Sequence, residues 1–200
     1  MNYLSNSRLI TKAHDVEIGR MKDQLIAKLS LIDDSCFCPD CINLIIYIEE
    51  DDVTNKSYVI TDPDYDNGDE KAFCCYNGDS FTLTHLAIDN CVMTPERGYD
   101  GKKCDFFIFT SEIAAFVELK TNAYSTNNVS RHITKAYSQL KSTIEYFAER
   151  DVDYGTRDKE AYIVLRTPLY PPNPISQLSR RRSFFMHTRF DLIEHNSINI

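Results

Sequence analysis

"CDFFIFTSEIAAFVELK", residues 104–120, is the stretch from which the fold can be read. Two apolar, β-prone runs, "CDFFIFT" and "IAAFVELK", flank a tight polar turn at Ser111 and Glu112, which predicts a pair of antiparallel strands. Strand side chains alternate, so Glu118 and Lys120 project from one face while Val117 and Leu119 point to the other. A charged pair on an otherwise buried strand costs free energy unless something there uses the charge. Antiparallel pairing folds the chain back. Asp105, at the start of the first strand, and Glu118 and Lys120, at the end of the second, are therefore expected side by side.

Two carboxylates placed so would bind a hard divalent cation, Mg²⁺ or Mn²⁺, that keeps several of its waters. Such an ion activates a water and stabilises charge on a phosphate undergoing in-line attack. Lys120 would position or deprotonate that water, or hold a phosphate oxygen. An ordinary surface salt bridge on a sheet edge is the competing reading, and "ELK" alone does not separate the two.

Outward from this pair the elements follow in a clear order. Val16, Ile18, Met21, Leu25, Ile26 and Leu29 recur at helical spacing between Thr11 and Leu31. "CINLIIYIEE" reads as a strand and "KSYVIT" as its antiparallel neighbour across "DDVTN". "AFCCYNGDSFTLTHLAI" carries an Asn-Gly pair between two β-prone runs, the pattern of a two-residue hairpin. Val129, Ile133, Ala136, Tyr137, Leu140, Ile144 and Phe147 trace one apolar face of a long helix over 129–150. "EAYIVLRT" is an apolar strand ended by the proline-rich "PLYPPNP". A short helix around 175–190 and a weak strand complete the chain. The expectation is one α/β domain over residues 1–200.

Composition narrows the class. The chain has 200 residues and a net charge of −8, with 42% hydrophobic and 26% charged side chains, ordinary values for a globular protein. No run approaches the ~20 apolar residues of a membrane span, and the N-terminus has no apolar leader core. Cytoplasmic residence without membrane attachment is the expectation. Residues 1–100 carry 8 basic and 19 acidic side chains, whereas residues 101–200 carry 14 and 11. An acidic chain argues against coating nucleic acid by bulk electrostatics, but leaves room for a local basic groove in the second half. "SRRRSFF", Arg180–Arg182 with Phe184 and Phe185, reads as a helix docking its phenylalanines with its arginines in water, or as phosphate contacts beside stacking aromatics.

The cysteines offer two readings. Three or four of the thiolates among Cys36, Cys38 and Cys41 in "CFCPDC" and Cys74 and Cys75 could enclose a structural Zn²⁺, although the spacing lacks paired C-x₂-C knuckles. Buried free thiols packing as small hydrophobes are the plainer reading. Cys91 and Cys104 read as packing residues of core strands.

The whole arrangement resembles the PD-(D/E)xK nuclease superfamily, with its restriction-endonuclease-like fold. That pattern places an acid on the second core strand, (D/E)-x-K on the third, then a helix and a fourth strand. Here these are Asp105, Glu118 and Lys120, the helix 129–150 and the strand 161–166. "KAYSQLKSTI" carries the A-x-x-Q-L flavour of many members, which places Gln139 near the site on a polar stripe with His132 and Lys135. Cys104 stands where the motif's proline is expected. The resemblance implies an αβββαβ core with a mixed central sheet flanked by helices, plus an inserted hairpin. It further implies a glutamate of the first helix as an additional metal ligand, Glu17 in preference to Asp15 or Asp23. Asp89 and Glu96 precede the core strand and read as loop residues that could reach the metal. The segment from "AIDNC" to "FVELK" also looks like small bacterial proteins of this superfamily, some associated with antiviral defence.

These readings converge on a metal-dependent phosphodiesterase acting on DNA in preference to RNA. Its small size implies a protein partner or a homo-oligomer for specificity. The alternative is a catalytically silent member that docks nucleic acid or assembles a complex.

Overall fold

The computed structural model describes residues 3–31, 35–43, 45–50, 57–62, 64–66, 72–78, 81–121, 126–165 and 174–200. Among these residues it contains three α-helices, α1 (Tyr3–Lys28), α2 (Thr126–Ala148) and α3 (Pro174–Thr188). The strands are β1 (Ile45–Glu50), β2 (Ser57–Ile60), β3 (Phe73–Tyr76), β4 (Thr84–Ala87), β5 (Phe106–Phe109), β6 (Ile113–Lys120), β7 (Asp158–Leu165), β8 (Asp191–Glu194) and β9 (Ser197–Asn199). They form two mixed sheets, ordered β4-β5-β6-β7-β8 and β2-β1-β3-β9.

In the larger sheet β5 and β6 are the expected antiparallel pair, with Phe106 opposite Val117 and Phe109 opposite Ala114. Thr110 closes the turn: its hydroxyl accepts from the N–H groups of Glu112 and Ile113. Helix α2 then carries the chain back so that β7 pairs parallel to β6, Glu118 beside Ile163 and Lys120 beside Leu165. A parallel neighbour requires such a crossover, and a helix supplies it. The apolar stripe read from the sequence is the face that docks, since Ile133, Ala136, Leu140 and Phe147 are buried. β8 follows α3 and extends the parallel part.

The two faces of this sheet are covered differently. Phe107, Phe109, Ala114, Phe116 and Ile163 share one core with Ile18, Met21 and Leu25 of α1, the buried stripe of α2 and Phe184 of α3. Phe106, Ile108, Ala115, Val117 and Leu119 share another with Ile46 and Ile48 of β1, Phe73 and Cys75 of β3 and Ile198 of β9. The layers therefore run helices, sheet, sheet. This corrects the expectation of a central sheet flanked by helices, because one flank is a second sheet.

The correction has a local origin at Asn77 and Gly78. These residues do not close a hairpin between β3 and β4, which lie in different sheets. The buried Asn77 side chain instead donates to the Phe81 carbonyl (2.7 Å) and accepts from the Phe81 N–H (2.8 Å). Its amide thereby substitutes for a ladder bond while the chain crosses between sheets. The β1–β2 hairpin is present as expected, with Glu50 opposite Ser57, and the turn "DDVTN" lies outside the described residues. β1 to β3 all lie between α1 and β4, so the insertion is larger than one hairpin.

Candidate active site

Strand β6 ends in Glu118, Leu119 and Lys120, all buried, with Glu118 at 0% exposure and Lys120 at 8%. Glu118 follows Ala114 and Phe116 on the helix-covered face, where strand alternation puts it. The Lys120 ammonium donates to Glu118 Oε1 and also to the Leu119 carbonyl (3.1 Å). Charges removed from water so completely need this mutual compensation. An exposed edge salt bridge, the competing reading of "ELK", does not describe the pair.

Asp105 comes to the same place. It immediately precedes β5, and the ladder carried one step beyond Phe106–Val117 sets it opposite Glu118. Its backbone is held on both sides: its N–H donates to the Val117 carbonyl, and its carbonyl accepts from the N–H groups of Ile88 and Asp89. Its carboxylate accepts from the Leu119 N–H at 2.5 Å. The side chain thus takes a position that a strand carbonyl would otherwise fill. Asp105, Glu118 and Lys120 converge.

The segment entering Asp105 is anchored by α2. Gln139 Nε2 donates to the Lys103 carbonyl (2.8 Å), and the Cys104 N–H donates to Thr143 Oγ1 (2.8 Å). Gln139 is therefore brought next to the site, attached to the backbone two residues ahead of Asp105. The Cys104 thiol is fully buried, and burial first, then the nearby Glu118 and Asp105 charges, push its pKa well up. It packs as a neutral group, as expected.

The further acids fare differently. Glu17, expected as a metal ligand, is not at this site. Its carbonyl accepts from Arg157 Nη2 (3.4 Å), and Arg157 Nε donates to the Thr110 carbonyl (2.6 Å). Thr110 belongs to the β5–β6 turn, while Glu118 lies at the opposite end of the hairpin, roughly 17 Å along the strand from Ile113. Asp15 is also far from the pair, where it accepts from Thr82 Oγ1. Asp23 is exposed beside Gln24, which bonds Asp153. The exposed face of α1 simply carries these acids in water. Asp89 lies closer: its N–H reaches the Asp105 carbonyl and its carboxylate pairs with Lys103 at 3.0 Å. Glu96 is fully exposed on a short 3₁₀ turn.

Sequence reasoning missed Glu194. In register it follows Glu118 and Ile163 across the sheet, it is buried, and it accepts from Arg180 of α3. Only the parallel pairing of β8, invisible in so short a strand, brings it there. Arg180 is thus held by an acid, Phe184 is buried, and Phe185 stays partly exposed.

His132 of α2 is within electrostatic reach of the pair. Partial burial first, then Lys120, Lys135 and Arg131, hold its pKa below the usual imidazole value. Cys36 is disulfide-bonded to Cys91, which sits in the turn after β4 rather than on a core strand, while Cys38, Cys41, Cys74 and Cys75 are free thiols. Among the described residues no group of three or more His, Cys, Asp or Glu is placed to hold a metal ion. Asp105 and Glu118 are two. Their hard oxygen donors, close to the Leu119 carbonyl, suit an ion that retains water for its other positions. No described helix is long and apolar enough to cross a membrane.

No family description, curated protein or solved structure matches this chain.

Proposed function

We propose that this chain is a metal-dependent nuclease of the restriction-endonuclease-like type, hydrolysing DNA phosphodiesters at Asp105, Glu118 and Lys120. The observation that carries this reading is the convergence of two buried carboxylates and one ammonium at adjacent strand ends. The order α1-β4-β5-β6-α2-β7, with the acid before β5 and Glu-x-Lys ending β6, supports it further.

Asp105 and Glu118 would hold a Mg²⁺ or Mn²⁺ ion, which when bound supplies Lewis acidity and an acidified water. The protein's own part begins with rigidity. The Leu119 N–H orients the Asp105 carboxylate, and the bonds from Ile88 and Asp89 fix the backbone behind it. Lys120 is held against Glu118 until a phosphate competes for its ammonium. It then stabilises negative charge on a phosphate oxygen or orients the attacking water. Gln139 and Thr143 are positioning residues, since they grip Lys103 and Cys104 rather than the reacting atoms. Specificity would come from a protein partner or a second copy, and a role in antiviral defence fits such a component.

Plasmid and oligonucleotide substrates incubated with Mg²⁺, Mn²⁺ or EDTA test the reading. Cleavage is expected with metal and absent with EDTA, and Asp105→Asn and Glu118→Gln should abolish it. Cleavage unchanged in both variants would sink the assignment. A wild type inert with every metal would favour the docking alternative.

A further inference from the structure

One face of α2 concentrates positive charge in an otherwise acidic protein. Between this helix and the loop ahead of Asp105 runs an open groove of about 630 Å³, lined by Lys102, Ser130, Arg131, Thr134, Lys135 and Ser138. A recess of about 190 Å³ adjoins it, lined by Asn128, Arg131, His132 and Lys135. Among the described residues neither lining contains an acid, although the chain carries 30 Asp and Glu against 22 Lys and Arg. Arg131 and Lys135 stand one turn apart on the helix, so their charges face the same strip of solvent. Lys102 faces them from the opposite wall.

The hydroxyls of this groove are partly committed. Thr134 Oγ1 donates to the Ser130 carbonyl and Ser138 Oγ to the Thr134 carbonyl. Recognition of an anion therefore falls to the three cations. Both walls adjoin the site already described, because Lys102 lies three residues before Asp105 and His132 of α2 lies within electrostatic reach of Lys120. Among the described residues the lining has no aromatic ring other than the imidazole of His132, so these residues offer no platform on which unpaired bases would stack.

We infer that this groove seats the phosphodiester backbone of duplex DNA, with Lys102, Arg131 and Lys135 as the phosphate-contacting residues. The inference rests on the nuclease reading for the identity of the polyanion, but it concerns side chains outside the Asp105–Glu118–Lys120 constellation. Backbone contacts of this kind position a duplex without reading its sequence.

The test is binding without catalysis. Fluorescence anisotropy of a labelled duplex and of its single strand is followed in EDTA over a series of NaCl concentrations. Wild type, Lys102→Ala/Arg131→Ala/Lys135→Ala and the control Lys28→Ala/Lys159→Ala are compared, each checked for an unchanged thermal melt. Removing three cations should lower the slope of log K against log[salt] by about 2.7, at about 0.9 per phosphate contact. Affinity for the duplex should fall on the order of tenfold or more, and the control should match wild type. A triple variant that binds like wild type, a wild type that does not bind the duplex, or one that prefers the single strand overturns the proposal. Cleavage is scored separately. Metal-dependent cleavage with a silent groove leaves the nuclease reading standing and removes this one. Groove-dependent binding with no cleavage does the reverse.

Discussion

The Lys120 ammonium and the Glu118 carboxylate are buried together, and this sets the behaviour of any variant that separates them. Removing one partner of a buried pair strands the other, at a cost of about 3–5 kcal/mol, whereas replacing both with neutral groups of similar size is often neutral. Chemical denaturation of Lys120→Met should therefore show a loss of that order. Glu118→Gln/Lys120→Met should recover most of it. Equal stability of the two variants would mean that the ion pair is not what holds the strand end. Asp105 makes a different case. Two adjacent carboxylates suggest repulsion that Asp105→Ala would relieve, yet its carboxylate is the acceptor for the Leu119 N–H. Truncation leaves that donor unsatisfied, so Asp105→Ala should lose about 1–3 kcal/mol rather than gain stability.

Among the elements, α2 does two jobs on two faces. Leu140 is fully buried in the core beneath the helix, so Leu140→Ala should cost about 2–5 kcal/mol. Gln139→Ala removes one bond to the Lys103 carbonyl and should cost only about 1 kcal/mol while slowing turnover. The reverse ranking in denaturation would mean that the helix is rotated from the orientation described. In β7, burial first raises the Glu160 pKa, with Asp158 and Asp191 adding to it against the opposing bond from Tyr162. The folded chain then holds its proton at pH values where the unfolded chain has lost it. That contribution is complete below the unfolded pKa and is lost as pH rises through the folded one. Glu160→Gln should accordingly be more stable than wild type at neutral pH, and the difference should vanish below about pH 4. A constant difference across pH would exclude ionisation as the cause.

The long elements were legible because their periodicity is long. α2 and the β5–β6 pair, with its turn at Ser111 and Glu112, lie where the apolar spacing puts them, and the two carboxylates meet because antiparallel pairing leaves them little choice. Glu17 was not placeable, because an amphipathic helix shows which face is wet but not which end approaches a distant strand. The second sheet escaped notice for another reason. Asn77-Gly78 is a strong local turn signal, but the Asn77 side chain is spent on the Phe81 backbone four residues on, and the assignment of β3 and β4 to different sheets depends on long-range pairings that no local signal carries.

At the scale of the whole molecule the chain is a sheet sandwiched between helices on one side and a smaller sheet on the other, and the disulfide joins parts of it distant in sequence. Cys36 and Cys91 are 55 residues apart, and all of β1 to β4 lies between them. Residues between them thus form a covalent ring inserted in the chain. A protease that nicks the ring once would open it without releasing anything. On a denaturing gel the nicked protein should migrate near the intact one until reductant is added, and only then separate into two pieces. Fragments that separate before reduction would show that the ring is not closed.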